Sequence, residues 1–124
     1  MARLLIYATA VFFVFYGVAF SLLPIDMAVL VTGSSPDTPS GLIDLRATYG
    51  GLSIAVGVLL LMLGAHPKFG LLATSIVLLS MAASRLLGMA LDGTPNAIMY
   101  VYLAAELVVG GVALYLRAGL DDSS

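Results

Sequence analysis

The sequence predicts an all-α fold, an integral membrane four-helix bundle, and three observations predict it. The first is composition: 61% of the 124 residues are hydrophobic and 10% are charged, against roughly half apolar and a quarter charged in soluble domains. A soluble chain of this length has too little interior to hide so much apolar surface, so lipid is the natural sink. The second is span length: four apolar stretches fall at about 4–23, 45–65, 69–91 and 97–117. About twenty residues at 1.5 Å each cross a hydrocarbon core of roughly 30 Å. The third is backbone chemistry. Peptide groups in lipid must pair within their own segment, which selects helices over open strands.

The first span, Leu4 to Leu23, carries no charge. Its apolar run exceeds that of a signal peptide, and Ser21-Leu22-Leu23-Pro24 is a poor cleavage site, so it reads as a retained helix. With no charge to bury, it is expected at the periphery. Its Tyr7, Phe12, Phe13, Phe15, Tyr16 and Phe20 read as lipid-facing and packing surface. Residues 24–44 form the one long connection, rich in Pro, Gly and Ser. Its apolar part, Ile25 to Val31, is expected to lie on the membrane surface or re-enter it. Ala65-His66-Pro67-Lys68 and Asp92-Gly93-Thr94-Pro95-Asn96 are tight turns, which predict antiparallel neighbours for the last three spans. His66 reads as a solvated turn residue. The chain is thus one transmembrane domain over 1–118 with a short acidic tail at 119–124.

Lysine and arginine placement sets orientation. Arg3, Lys68 and Arg117 flank one side of the membrane. Asp26, Asp37, Asp44 and Asp92 gather on the other, with Arg46 at its edge. Both termini are therefore expected in the cytoplasm and the long loop outside.

Three ionisable residues lie within the apolar spans or at their edge: Arg46, Arg85 and Glu106. A charge at the bilayer centre costs roughly 2.5–3.5 kcal/mol on insertion scales, so such residues turn inward and pair. Helix rise places Arg85 roughly 9 Å and Glu106 roughly 13 Å below the outer helix ends, a gap that an arginine stem bridges. An Arg85–Glu106 pair in the outer half is expected, with Arg46 as third member. Helical spacing aligns Arg46, Tyr49, Gly50, Ser53 and Gly57 on one face. It likewise aligns Met81, Arg85 and Gly88, and Met99, Tyr102, Glu106 and Gly110. The candidate pocket is Arg46, Tyr49, Ser53, Arg85, Tyr102 and Glu106. The candidate helix-packing positions are Gly50, Gly51, Gly57, Gly88 and Gly110, because small residues let membrane helices approach closely.

These motifs recur in order: Arg46-x-x-Tyr49-Gly50-Gly51, Arg85-x-x-Gly88, Asp92-Gly93-x-Pro95 and Glu106. Over about residues 5 to 116 the chain resembles a bacterial family of small four-helix integral membrane proteins classed as a domain of unknown function. The resemblance implies a bacterial inner-membrane protein and carries no activity. A likeness to small quinone- and redox-associated membrane proteins is one of architecture alone.

Several functions are excluded or disfavoured. The net charge of −2 and the lack of a basic stripe argue against nucleic acid. With no cysteine and a single histidine, thiol chemistry, disulfides and a histidine-rich metal site are out of reach. No nucleophile–base pair or phosphate loop is present, so catalytic residues, metal and cofactor are all expected to be none. The leading expectation is a non-enzymatic accessory or scaffold subunit, joined to copies of itself or to a larger membrane complex through glycine-rich faces. The alternative is binding or transport of a small anionic or lipid-like ligand (lipid, quinone or carboxylate) at the Arg/Glu pocket, where two arginines against one glutamate leave a net positive charge.

Overall fold

A computed structural model describes residues 1–122; the side chains of Asp121 and Asp122 are not among the described parts. Four helices are long and apolar enough to cross a membrane. They are α1 (Ala2–Leu22), α3 (Pro39–Leu63), α4 (Pro67–Asp92) and α5 (Ala97–Asp122). A short α2 (Pro24–Thr32) follows α1. The described residues contain no strand. The expected acidic tail at 119–124 is helical as far as Asp122, and its last two residues lie outside the described residues.

Each boundary has a local cause. Proline opens α2, α3 and α4 at Pro24, Pro39 and Pro67, where its missing N–H is no loss and its fixed φ suits the first turn. Thr38 caps α3 by accepting the Gly41 N–H at 3.1 Å. Asn96 caps α5, its Oδ1 accepting the Met99 N–H at 3.1 Å; Asn at this position satisfies an otherwise orphaned donor. Gly33 closes α2 at φ 87° and Gly93 follows α4 at φ 107°, conformations that suit glycine. Spanning helix α3 begins six residues earlier than the sequence suggests, and from Arg46 to Gly51 it winds as a π-helical turn.

The order of packing differs from the expected one. Helix α1 is central rather than peripheral: it lies against α3 along its length and also meets α4 and α5. Helices α3 and α4, despite their tight turn, touch little, while α4 and α5 form a close hairpin. The reason lies in glycine. Gly50 and Gly57 of α3, and Gly64 just past its end, recur every seven residues, the spacing of a helix–helix seam. A side chain at Gly57 would meet Val14 and Ala10, and one at Gly64 would meet the Tyr7 ring. At Gly17 a Cβ would sit 2.5 Å from the Gly50 carbonyl oxygen. These small residues draw α1 and α3 together, and van der Waals packing of this kind is what holds membrane helices.

The core follows from that arrangement. Ile6, Ala10 and Phe13 of α1 are buried with Leu60, Leu71, Leu78 and Ala113 from the other three spans. Nearer the long loop, Phe20 packs with Ala28 and Val31 of α2. Nine residues rise only about 14 Å, so α2 does not span; it lies across the end of the bundle. Asn96 Nδ2 donates to the Val31 carbonyl at 3.1 Å and ties α2 to the α4–α5 turn.

Candidate functional site

The antiparallel α4–α5 hairpin sets Arg85 opposite Glu106. Nε donates to Oε1 at 2.7 Å and Nη2 donates to Oε2 at 3.0 Å. This is the two-bond fork that guanidinium and carboxylate geometry favours. Glu106 is 6% exposed at its side chain and Arg85 18%, so the carboxylate is sealed and the guanidinium is the accessible partner. The Arg85 Cζ lies 5.3 Å from the centre of the Tyr102 ring, within cation–π range. Its remaining terminal nitrogen, Nη1, donates to the Met99 sulfur at 3.1 Å.

The pair stands in the wall of a cavity of about 660 Å³, within the size range of small-molecule sites. Helix α1 lines it with Leu5, Ala8, Thr9, Phe12, Phe13 and Tyr16; α2 adds Val31 and Thr32. The facing walls are Tyr49 and Ser53 of α3, Leu78, Met81 and Ser84 of α4, and Met99, Tyr102, Ala105 and Val109 of α5. Most of these groups are apolar, and the Arg85–Glu106 fork is the charged feature. Phe12 is 54% exposed, and lining residues of every wall are exposed too, among them Ala8, Tyr49, Ser84 and Ala105, so the cavity is open rather than enclosed. From Leu5 to Tyr16 it follows α1 over twelve residues, a rise of roughly 16 Å. A smaller hollow of about 340 Å³ lies beside it under the long loop, sharing Thr32 and Tyr49.

Five of the six candidate pocket residues line this cavity: Tyr49, Ser53, Arg85, Tyr102 and Glu106. Arg46 does not. It is exposed, and its Nη1 donates to the Ser21 carbonyl. The chain turns at Leu23 and Pro24, so carbonyls in the last turn of α1 lack helical partners. Arg46 supplies one, from the π-helical turn beside it. With Arg46 elsewhere, the expected net positive charge gives way to one cation against one anion.

Of the packing candidates, Gly50 and Gly57 meet α1, and Gly110 meets Leu79 and Leu78 of α4. Gly51 faces open space, and Gly88 has only its own helix's Asp92 nearby. Gly17 and Gly70 are close-approach positions that spacing arguments passed over; Gly70 abuts Ile6 and the Leu63 carbonyl.

The contribution of α1 is the other omission. Tyr16 stacks on Phe12 at 5.6 Å and meets Tyr102 edge-on at 6.2 Å. Phe20 continues the row to Tyr49, whose ring stacks at 5.1 Å. The signal was present: Thr9 and Tyr16, seven residues apart in an uncharged span, place two polar tips on one face. Phe12 lies between them on the same side.

The described residues hold no group of three or more His, Cys, Asp and Glu able to hold a metal ion. What the arrangement offers is recognition: a long apolar chamber, aromatic walls, and a neutral ion pair with one weakly satisfied donor. No curated protein and no solved structure matches the chain. The family model for a domain of unknown function, DUF4345, matches residues 1–117. The chain belongs to the DUF4345 family.

Proposed function

We propose that this protein binds a small amphiphilic molecule drawn from the lipid phase, without chemical change, in the cavity beside Arg85 and Glu106. The observation that carries this reading is the setting of the pair. A buried ion pair offsets its desolvation only where its geometry is good and its remaining donors find partners. This one borders about 660 Å³ of open space with mostly apolar walls. A void next to buried charge costs stability, and occupation by a ligand offsets that cost. Pockets with apolar linings and a few convergent polar groups are the usual form of small-molecule sites.

The scaffold reading keeps only part of its glycine surface, since Gly51 and Gly111 face open space. Of its packing positions, Gly50, Gly57 and Gly110 are covered by helices of this same chain, whereas Gly51 and Gly88 meet no other helix. We place the protein in the bacterial inner membrane with both termini in the cytoplasm. The bacterial setting rests on the family resemblance and the termini on the charge distribution at Arg3, Lys68 and Arg117; this puts the Arg85–Glu106 pair in the outer half, with the cavity reaching past it along α1 to Leu5.

Native mass spectrometry of the full chain released from lipid nanodiscs tests the reading. The wild type is expected to retain an apolar small molecule, and Ala105→Trp, which adds bulk at an exposed position of the cavity lining, is expected to lose it while melting no lower. Equal retention by both proteins would refute occupancy of this cavity.

A further inference from the structure

We infer that the ligand's head group is uncharged and carries a carbonyl-type oxygen, which takes the Arg85 Nη1 donor now turned to the Met99 sulfur. The inference rests on the binding reading above and narrows it to a class of molecule. An arginine has five N–H donors. Those on Nε and Nη2 that face Glu106 are committed to a carboxylate at 2.7 and 3.0 Å. Nη1 instead meets a thioether, which is a weak acceptor. A guanidinium nitrogen bound only to sulfur in an apolar chamber is poorly satisfied, and an oxygen acceptor placed there strengthens the bond it makes.

Charge selects the kind of oxygen. The site holds one arginine and one glutamate, since Arg46 is spent on the Ser21 carbonyl. An anionic head on Nη1 would be attracted by Arg85 but opposed by Glu106 across the same fork, which leaves little to offset the cost of taking a full charge out of water. A cationic head would face the Arg85 charge first and be repelled. A neutral carbonyl satisfies Nη1 and leaves the fork intact. Met99 suits the part of a displaceable neighbour: it is unbranched, flexible, and lines the cavity. The chamber beyond it, roughly 16 Å along α1, takes an apolar tail. Two sources share this chemistry, a prenylated or alkylated quinone and a neutral glyceride.

Equilibrium binding to the full-length protein in nanodiscs decides it, with three probes of equal tail length: decylubiquinone, monodecanoylglycerol and decanoate. One or both neutral probes are expected to bind about tenfold or more tighter than decanoate, the scale of one hydrogen bond to a charged donor. Which of the two binds identifies the source. Met99→Gln places an amide oxygen beside Nη1 and is expected to weaken the neutral probe by about tenfold. Met99→Leu, which offers no acceptor, is expected to bind it at least as well as the wild type. Glu106→Gln removes the anion and is expected to shift preference toward decanoate.

Decanoate binding the wild type as tightly as the neutral probes would overturn the inference while leaving the cavity reading standing. So would unchanged affinity in Met99→Gln. Failure of all three probes, together with equal native retention in Ala105→Trp, would remove both.

Discussion

Arg85 and Glu106 join α4 to α5 through two parallel hydrogen bonds of 2.7 and 3.0 Å, with the glutamate nearly sealed from its surroundings and the arginine open to the cavity. Removing one partner leaves the other as an uncompensated charge, which costs about 3–5 kcal/mol for a buried pair. Because Arg85 keeps partial access, the low end, about 3 kcal/mol, is expected for Arg85→Gln and for Glu106→Gln. The double variant replaces the pair with two amides able to bond each other. Its loss is expected to be smaller than either single loss. Reversible unfolding in mixed micelles measures the cycle, and additive losses would contradict the pairing.

Close approach of α1 and α3 gives a second, sharper contrast. A Cβ on Gly17 would lie 2.5 Å from the Gly50 oxygen and 2.7 Å from the Ile54 nitrogen, both backbone atoms that cannot step aside. Gly17→Ala is expected to destabilise the fold by about 1–3 kcal/mol, the usual cost of overpacking. At Gly111 nothing lies within 4 Å. Gly111→Ala is expected to leave stability unchanged or raise it by about 0.5–1 kcal/mol, through the backbone freedom that glycine loses in a helix. Unfolding midpoints of the two variants, compared side by side, check the assignment. An equal loss in both would mean that the α1–α3 seam does not govern stability.

The same contrast explains what the sequence made legible. Apolar length is a one-dimensional property, and the spans around 4–23, 69–91 and 97–117 were readable from it to within a few residues. Depth is nearly one-dimensional too. Counting residues from the helix ends was enough to match Arg85 with Glu106 across a hairpin whose turn is short. Lateral order around the bundle is different, because four apolar helices in lipid have no hydrophobic driving force to rank their neighbours. The seven-residue glycine repeat of α3 held that information, but a repeat names a close-packing face without naming its occupant. Arg46 failed for a related reason: its partner, the Ser21 carbonyl, becomes available only because the chain bends at Leu23 and Pro24. The wall supplied by Thr9, Phe12 and Tyr16 left only a faint trace, the heptad spacing of two polar tips, because an uncharged helix gives no electrostatic hint of facing a site.

Asn96 performs two tasks that a single substitution separates. Its Oδ1 caps α5 and its Nδ2 holds the Val31 carbonyl of α2. Asn96→Asp keeps the capping oxygen but loses the donor, whereas Asn96→Ala loses both. The alanine variant is expected to be about 1 kcal/mol less stable through loss of the cap, and the aspartate variant nearly as stable as the wild type. Both are expected to free α2. Because the chain has no cysteine, Val31→Cys, at a position 4% exposed, reports that release by its thiol labelling rate. Faster labelling in both backgrounds is expected. Labelling that rises only where stability falls would mean that the Val31 bond does not hold α2 down.

Orientation yields the last prediction. Four antiparallel spans put Arg3, the Lys68 turn and Arg117 at one end of the bundle, and Asp26, Asp37, Asp44 and Asp92 at the other. Only positive charge steers insertion strongly, so Arg46 alone opposes the three cations. The Lys68 end is therefore expected in the cytoplasm. Single cysteines at exposed positions on opposite ends, Asp37→Cys in the long loop and His66→Cys in the α3–α4 turn, report it directly. A membrane-impermeant maleimide applied to intact inner-membrane spheroplasts is expected to label the first, and to label the second only after permeabilisation. The reverse pattern would place Arg85 and Glu106 in the inner half and sink the outer-half assignment of the pair. The geometry of the fork and its cavity would stand unchanged.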